Sequence, residues 1–360
     1  MRNHLKQAIL TGLASFALLC PSVVTAFARD QFPIRQQSTV GTTGLTKPAP
    51  APKRMHGLIG EYGPDDGILI ILENEGRLCA LFKGAKLECL IEPKQSSFVF
   101  GPDSVRADQP VTFKRDSSGR ATLLTIGKES FKRRQIEPEG GAAQLQVKPL
   151  RPVPELIKEA LSSKPPPEGS EFRKPDLVEL TKLARSIKLD IRYATTNNLF
   201  GSVFYSEARA FLQRPAAEAV VRINQKLKDH GYGLLVHDAY RPWYVTKVFW
   251  DATPDDKKIF VADPSKGSRH NRGAAIDLTL YDLTTGKPVE MVSTYDETTD
   301  RAYPNYPGGT SLQRWHRQLL RDAMEADGFT VYEAEWWHFD YNDWQKYAIG
   351  NLLFDRIGKD

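Results

Sequence analysis

The run Ser268-Arg269-His270-Asn271-Arg272-Gly273-Ala274-Ala275-Ile276-Asp277, answered further along by Glu335-Trp336-Trp337-His338, holds most of the chemistry this sequence offers. His270, His338 and the carboxylate of Asp277 form a ligand set for one divalent cation. Three N/O protein ligands with a fourth position left to water is the usual make-up of a catalytic zinc site. Glu335, three residues before His338, adds a carboxylate that could move protons. All of this requires the two segments to meet in space.

Local pattern constrains each residue. Asp277 lies between Ile276 and Leu278 in a run, Ala274 to Leu280, whose alternation reads as a strand with Ala275, Asp277 and Thr279 on one face. A buried carboxylate needs a cation, a metal or a hydrogen-bond network. Small Gly273, Ala274 and Ala275 leave room for His270 to fold back beside it. The alternative is a solvent-facing aspartate on an edge strand with an unrelated histidine. In an extended chain Glu335 and His338 point to opposite sides, so a bend or bulge must bring them to one water. Trp336 and Trp337 would exclude water and raise the Glu335 pKa, which suits a group that both accepts and donates a proton. Taken alone, that segment describes an aromatic core strand with a capping histidine.

A third element, Asp238-Ala239-Tyr240-Arg241-Pro242-Trp243, follows a strand expected at Gly233–Val236. A guanidinium fixed by the Pro242 turn stabilises an oxyanion, or else forms a surface pair with Asp238. Among the other histidines, His4 falls in a leader, His56 at a domain edge, His230 at a helix end, and His316 on an amphipathic helix. His237, just after the strand, stays a candidate.

The elements that must position these residues divide the chain. Residues 1–28 read as a Sec-type signal peptide: Arg2 and Lys6, then an apolar run from Ala8 to Cys20, then Ala26-Phe27-Ala28 as the cleavage pattern after Ala28. The apolar run is too short and too broken for a transmembrane helix, so no membrane span is expected in the mature chain. The expectation is an exported protein, periplasmic or secreted. Residues 29–54 form a Pro-rich linker. Residues 55–136 show short β-prone runs between turn signals, a small all-β barrel or sandwich. Residues 137–175 form a second linker with a short helix, and 176–360 form the catalytic domain.

In that last domain helices are expected at Asp176–Ser186, Arg214–His230 and Ser311–Asp327. Strands are expected at Leu189–Tyr193, Gly233–Val236, Ala274–Leu280 and Trp337–Tyr341. The mixture lacks a βαβ rhythm and gives an α+β fold with a central antiparallel sheet flanked by helices. The formal net charge is +5, spread along the chain without a Lys/Arg block, which argues against a nucleic-acid partner. Cys79 and Cys89 sit on two expected strands around Lys83-Gly84-Ala85, where they face each other as a disulfide or as two buried thiols.

Together, Ser268-x-His270-x-x-Gly273-x-Ala275-x-Asp277 and Glu335-x-Trp337-His338 resemble the zinc site of the M15 group of D-Ala-D-Ala peptidases. Asp190-Ile191-Arg192-Tyr193-Ala194-Thr195, Tyr240-Arg241-Pro242 and the double Trp resemble its D-alanyl-D-alanine dipeptidase (VanX-type) branch. The resemblance covers 176–354. It implies one Zn2+ per chain on His270, Asp277 and His338, with Glu335 as catalytic base and acid and Arg241 stabilising the transition state. The implied substrate is a small D,D-dipeptide or cell-wall peptide, with Ser268 and Asp238 as candidates for its recognition. The rival expectations are a peptidoglycan D,D- or L,D-carboxypeptidase with an open cleft, and a non-catalytic cell-wall-binding module. The β-rich region lies outside the resemblance, and a binding or spacer role is expected for it, with its ligand unknown.

Overall fold

The computed structural model describes residues 46–136, 147–169 and 171–358. The expected leader, most of the first linker and the start of the second lie outside the described residues.

The run Ile68-Leu69-Ile70-Ile71-Leu72 lacks the polar alternation of a half-exposed strand, and its surroundings explain why. The hairpin of strands Leu69–Asn74 and Arg77–Phe82 is buried on both faces. Leu69, Ile71, Leu78 and Ala80 join the core of the β-rich region with Tyr62, Phe98, Phe100 and Leu124. Ile70, Leu72, Cys79 and Leu81 join the larger core of the C-terminal region. A strand covered on two sides reads as continuous apolar sequence. The β-rich region is an antiparallel meander of a four-stranded and a five-stranded sheet. A bridge between Tyr62 and Arg133 links its first strand to its end. Cys79 and Cys89 are in register and joined by a disulfide.

The C-terminal region is mixed α/β. Its five-stranded sheet has the spatial order Lys188–Leu189, Tyr232–Asp238, Ala275–Asp282, Glu335–Tyr341 and Phe329–Tyr332. Three of its pairings are antiparallel, but the Lys188–Leu189 edge runs parallel to its neighbour, so the sheet is mixed rather than wholly antiparallel. The connection between those two strands contains the Arg214–Leu227 helix, and a crossover of that length permits parallel pairing. Ile276, Leu278 and Leu280 face the apolar core together with Val220 and Ile223 of that helix and Leu319 and Leu320 of the Ser311–Glu325 helix.

Two expected elements are corrected. The helix at Asp176–Ser186 is reduced to Leu180–Leu183, because Leu177–Glu179 pairs as a strand with Phe211–Gln213. The strand at Leu189–Tyr193 ends at Leu189 and gives way to a 3-10 turn at Arg192–Ala194. There Arg192 bonds Asp190 at 2.7 Å. The Trp243–Ala252 helix was not expected, since Trp243, Tyr244, Val245, Val248 and Phe249 bury several of its faces and erase the helical period.

Gly273 shapes the approach to the central strand. It has φ 65°, its N–H donates to His270 O at 3.0 Å, and its own carbonyl accepts from Gln213 N at 2.8 Å. A Cβ there would meet Leu177 Cδ2 at 2.5 Å. Gly273→Ala should therefore lower the unfolding free energy by about 1–2 kcal/mol, the cost of a left-handed residue with a side chain, as read by denaturant unfolding.

Candidate active site

The site grows out of strand register. Asp238 stands opposite Asp277, and Asp277 opposite His338, on three adjacent strands. A register shift between Val236 and Asp238 brings Asp238 into this row. His270 joins from a one-turn 3-10 helix at Arg269–Arg272, which Ser268 and Asn271 close as a capping box. Asn271 fastens the turn from below, donating to Arg241 O and Thr246 Oγ1, each at 2.8 Å.

His270 Nε2 lies 3.1 Å from His338 Nδ1 and 3.4 Å from Asp277 Oδ1, and His338 Nδ1 lies 2.9 Å from the same oxygen. The other nitrogen of each ring is committed. His270 Nδ1 faces Ala239 O at 2.8 Å, and His338 Nε2 faces Asp340 Oδ1 at 3.0 Å. Both partners only accept, so those nitrogens carry protons, and the converging ones offer lone pairs to a metal or, for His338 Nδ1 at 2.9 Å from Asp277 Oδ1, hold a proton in its place. Two lone pairs and a carboxylate oxygen then face one another inside the protein, and only a cation or a shared proton relieves that. Ligands at about 2.0–2.1 Å in tetrahedral array have donor atoms roughly 3.3 Å apart, close to what is found here. The residues fit a divalent metal.

The surrounding charges agree. Burial pushes the Asp277 carboxyl up, but the neighbouring His270 and His338 outweigh it and hold the group well below the usual carboxylate range. Burial works against a charged His338, yet Asp277 and Asp340 lift that imidazole to about 10. Tyr295 donates to Asp277 Oδ2 at 2.9 Å and leaves Oδ1 to the histidines. Arg269 in turn bonds Asp340 Oδ2 at 2.6 Å.

Arg241 and Asp238 form a buried pair, not the surface pair weighed from sequence. Nε and Nη2 of Arg241 donate to Asp238 Oδ2 at 3.0 and 2.7 Å. Asp238 Oδ1 accepts from Tyr205 at 2.7 Å and from the Ala239 N–H at 2.9 Å. The guanidinium lies over Tyr193 and Phe249, at 5.1 and 4.9 Å from the ring centroids. Burial disfavours its charge, but Asp238 more than compensates and keeps it firmly protonated.

The bulge required for Glu335 is present. The pairing of the two last strands jumps from Val331–Phe339 to Tyr332–Glu335. Glu335 Oε2 thereby comes 3.9 Å from His338 Nδ1. A third of its side-chain surface, 33%, stays open. Burial of the rest is the main cause raising its pKa; His338 opposes that and Asp277 adds to it.

Of the two recognition candidates, Ser268 uses its Oγ to accept the His270 N–H at 3.2 Å, which shapes the turn and leaves the hydroxyl proton to donate elsewhere. Asp238 has both oxygens engaged within the protein and is 0% exposed, so it fixes Arg241 rather than facing a ligand. His237 is buried against Tyr295, its Nδ1 3.3 Å from Asp190 O. His316 bonds Tyr232 at 2.9 Å away from the site.

Three contributors went unread in the sequence. Asp340 was legible in principle, since residues two apart in a strand share a face and Asp340 follows His338 by two. Tyr295 and Asp296 had no local signal. Asp296 accepts from the Tyr193 hydroxyl at 3.1 Å and adopts φ 60°, a region that aspartate tolerates better than most residues. Burial, with Asp277 and Glu335 nearby, pushes its carboxyl up to about 8.

A family model described as D-ala-D-ala dipeptidase matches residues 173–354. The D-alanyl-D-alanine dipeptidase of Escherichia coli (strain K12) is 32% identical over 174 residues, which cover 48% of this chain and 89% of that protein. The enzyme of the same name from Enterococcus faecium is 34% identical over 182 residues, 46% of this chain and 90% of its own. Among solved structures, an LdcB LD-carboxypeptidase matches 51% of this chain and 71% of its own at 19% identity, with a TM-score of 0.26.

The bond from His338 to Asp340 generates a direct test. Asp340→Asn should weaken zinc binding by about 10–100-fold, as expected when a ligand histidine loses its carboxylate partner, measured by competition with a chromogenic chelator.

Proposed function

Because this chain belongs to the M15 peptidase family of D-Ala-D-Ala dipeptidases, we propose that it hydrolyses the D-alanyl-D-alanine dipeptide, with Glu335 as general base and acid. The observation that carries the reading is the convergence of His270, Asp277 and His338 within 4.8 Å, with the Glu335 carboxylate 3.9 Å from His338. Zinc is the metal that best suits two imidazoles and a carboxylate with room for a fourth ligand. When bound by His270, Asp277 and His338, it supplies Lewis acidity toward the scissile carbonyl and acidifies water.

The protein groups divide the remaining work. Glu335 takes the proton of the attacking water and delivers it to the departing amine, and its raised pKa suits both halves of that transfer. Arg241, held by Asp238 and enclosed by aromatic rings, presents fixed positive charge to the oxyanion of the tetrahedral state. Asp296 offers an anionic partner for the free ammonium of a dipeptide. A bound ammonium would return its carboxyl, now pushed up to about 8, to the ionised form.

The proposal includes export. It rests on the leader pattern ending at Ala28, and the Cys79–Cys89 disulfide fits an oxidising compartment. Among the described residues no helix is long and apolar enough to cross a membrane.

D-Ala-D-Ala hydrolysis should be measured beside cleavage of a pentapeptide stem ending in the same two residues, with and without a chelator. Turnover of the free dipeptide that is lost with metal and restored by zinc is the expected result. Cleavage of the longer peptide alone would transfer the reading to a carboxypeptidase. Glu335→Gln should lower kcat by about 10²–10⁴-fold while zinc stays bound. Since Glu335 works as a base only when ionised, kcat/KM should fall as pH drops through its raised pKa. The acid limb should therefore lie above the ordinary carboxylate range.

A further inference from the structure

The β-rich N-terminal region contains no candidate catalytic residue, and the family match begins after it, at residue 173. Yet two of its carboxylates are buried against the catalytic region: Glu61 is 5% exposed and Glu73 1%. Buried carboxylates are costly unless their oxygens are bonded. Glu61 accepts the Tyr306 hydroxyl at 2.8 Å and pairs with Arg134 at 3.1 Å. Glu73 accepts the Ser311 N–H at 2.8 Å, at the start of the Ser311–Glu325 helix, where negative charge suits the helix end. The Glu73 N–H donates to Gly309 O at 3.1 Å, the Glu75 N–H to Ser311 Oγ at 3.0 Å, and Arg314 to Glu73 O at 2.9 Å. Backbone and side chain alike join the hairpin tip to this helix start.

What is joined there is the downstream end of residues 283–310, a connection with neither strand nor α-helix of its own. Apart from one isolated bridge, Tyr281–Pro288, near its upstream end, no ladder fixes it, so the segment takes its shape from its ends and its side-chain bonds. It carries Tyr295, which donates to Asp277 Oδ2 at 2.9 Å, and Ser293, which accepts the Trp336 indole N–H at 2.8 Å. It also carries Asp296. Within it, Arg301 donates to Val292 O at 3.0 Å and pairs with Glu297 at 3.3 Å. Gly309 packs so closely on Val292 that a Cβ would meet its Cγ1 at 3.1 Å. The route from Glu73 runs by hydrogen bond to Gly309, by packing to Val292, and then along the chain to Tyr295 and its bond to Asp277.

We propose that the β-rich region is a positioning element of the metal centre, with Glu61 and Glu73 anchoring residues 283–310 so that Tyr295 holds Asp277 in its metal-binding orientation. The inference rests on His270, Asp277 and His338 binding a metal. It gives the region a role that a spacer would not have.

The test uses the full chain and reads zinc affinity by chelator competition, with circular dichroism and thermal melting to establish folding. Tyr295→Phe, which removes the final bond of the path, should loosen zinc about 10-fold. Glu73→Ala and Tyr306→Phe, which touch no ligand, should loosen it in the same direction by about 3–10-fold. Glu73→Gln, which keeps an oxygen for the Ser311 N–H, should restore most of the affinity. Combined with Tyr295→Phe, Glu73→Ala should add little, because both act along one route. If Glu73→Ala does not fold, Tyr306→Phe, which deletes a single hydroxyl, carries the test. Wild-type zinc affinity in the folded distal variants would overturn the proposal, as would full additivity with Tyr295→Phe. A wild-type chain that binds no zinc would instead refute the metal-centre reading beneath it.

Discussion

Two imidazole lone pairs and a carboxylate oxygen, turned toward one another in a buried space, form the constraint on which the rest of the site depends. Such a cluster repels itself unless a metal ion or a proton sits within it. Each member is held in that unfavourable posture by a partner on its far side: Ala239 O behind His270, Asp340 behind His338, and Tyr295 behind Asp277. Backing of this kind fixes the tautomer and ring orientation of ligand histidines before any metal arrives. The sheet contributes the spacing, since the Asp238–Asp277–His338 row is a line of cross-strand neighbours. A slip of one residue in either pairing would turn its side chains to the opposite face.

Around this cluster the carboxylates have been driven apart in behaviour. Asp277, between imidazoles, is held ionised, whereas Glu335 and Asp296 are pushed up by burial with their acidic neighbours adding to it. Carboxylates with opposed tendencies in one small volume suit the separate duties proposed for them as ligand, proton carrier and ammonium partner. Arg241 supplies the opposing charge. Its buried pairing with Asp238 would be a poor means of gaining stability, because desolvation consumes much of the attraction. It is a good means of fixing the guanidinium in one orientation.

The two-faced hairpin of Leu69–Phe82 changes the view of the N-terminal region. Its alternate residues belong to different cores, and its tip binds the start of the Ser311–Glu325 helix. A module tethered only by a linker would need neither. Burial on both faces also accounts for the unbroken apolar run that the sequence shows there.

Much of the site was legible in the sequence. His270, Asp277, Glu335 and His338 stood out because their chemistry sits in short segments, and the alternation around Asp277 put a carboxylate in a strand that had to be buried. Even the bulge before His338 followed from strand geometry, given that Glu335 and His338 must face one water. The helices with a clear apolar stripe, Arg214–Leu227 and Ser311–Glu325, were readable for the same local reason. The tertiary structure decided whatever depended on partners distant in the chain. It turned Leu177–Glu179 from helix to strand through pairing with Phe211–Gln213, and buried Trp243–Ala252 too completely to leave a period. It committed Asp238 to Arg241, drew Ser268 into the His270 turn, and brought Tyr295 and Asp296 from an irregular segment to the cluster of His270, Asp277 and His338. Periodicity reports which face of an element is covered, never by what, so residues that act through long-range contacts leave no trace in their own neighbourhood of sequence.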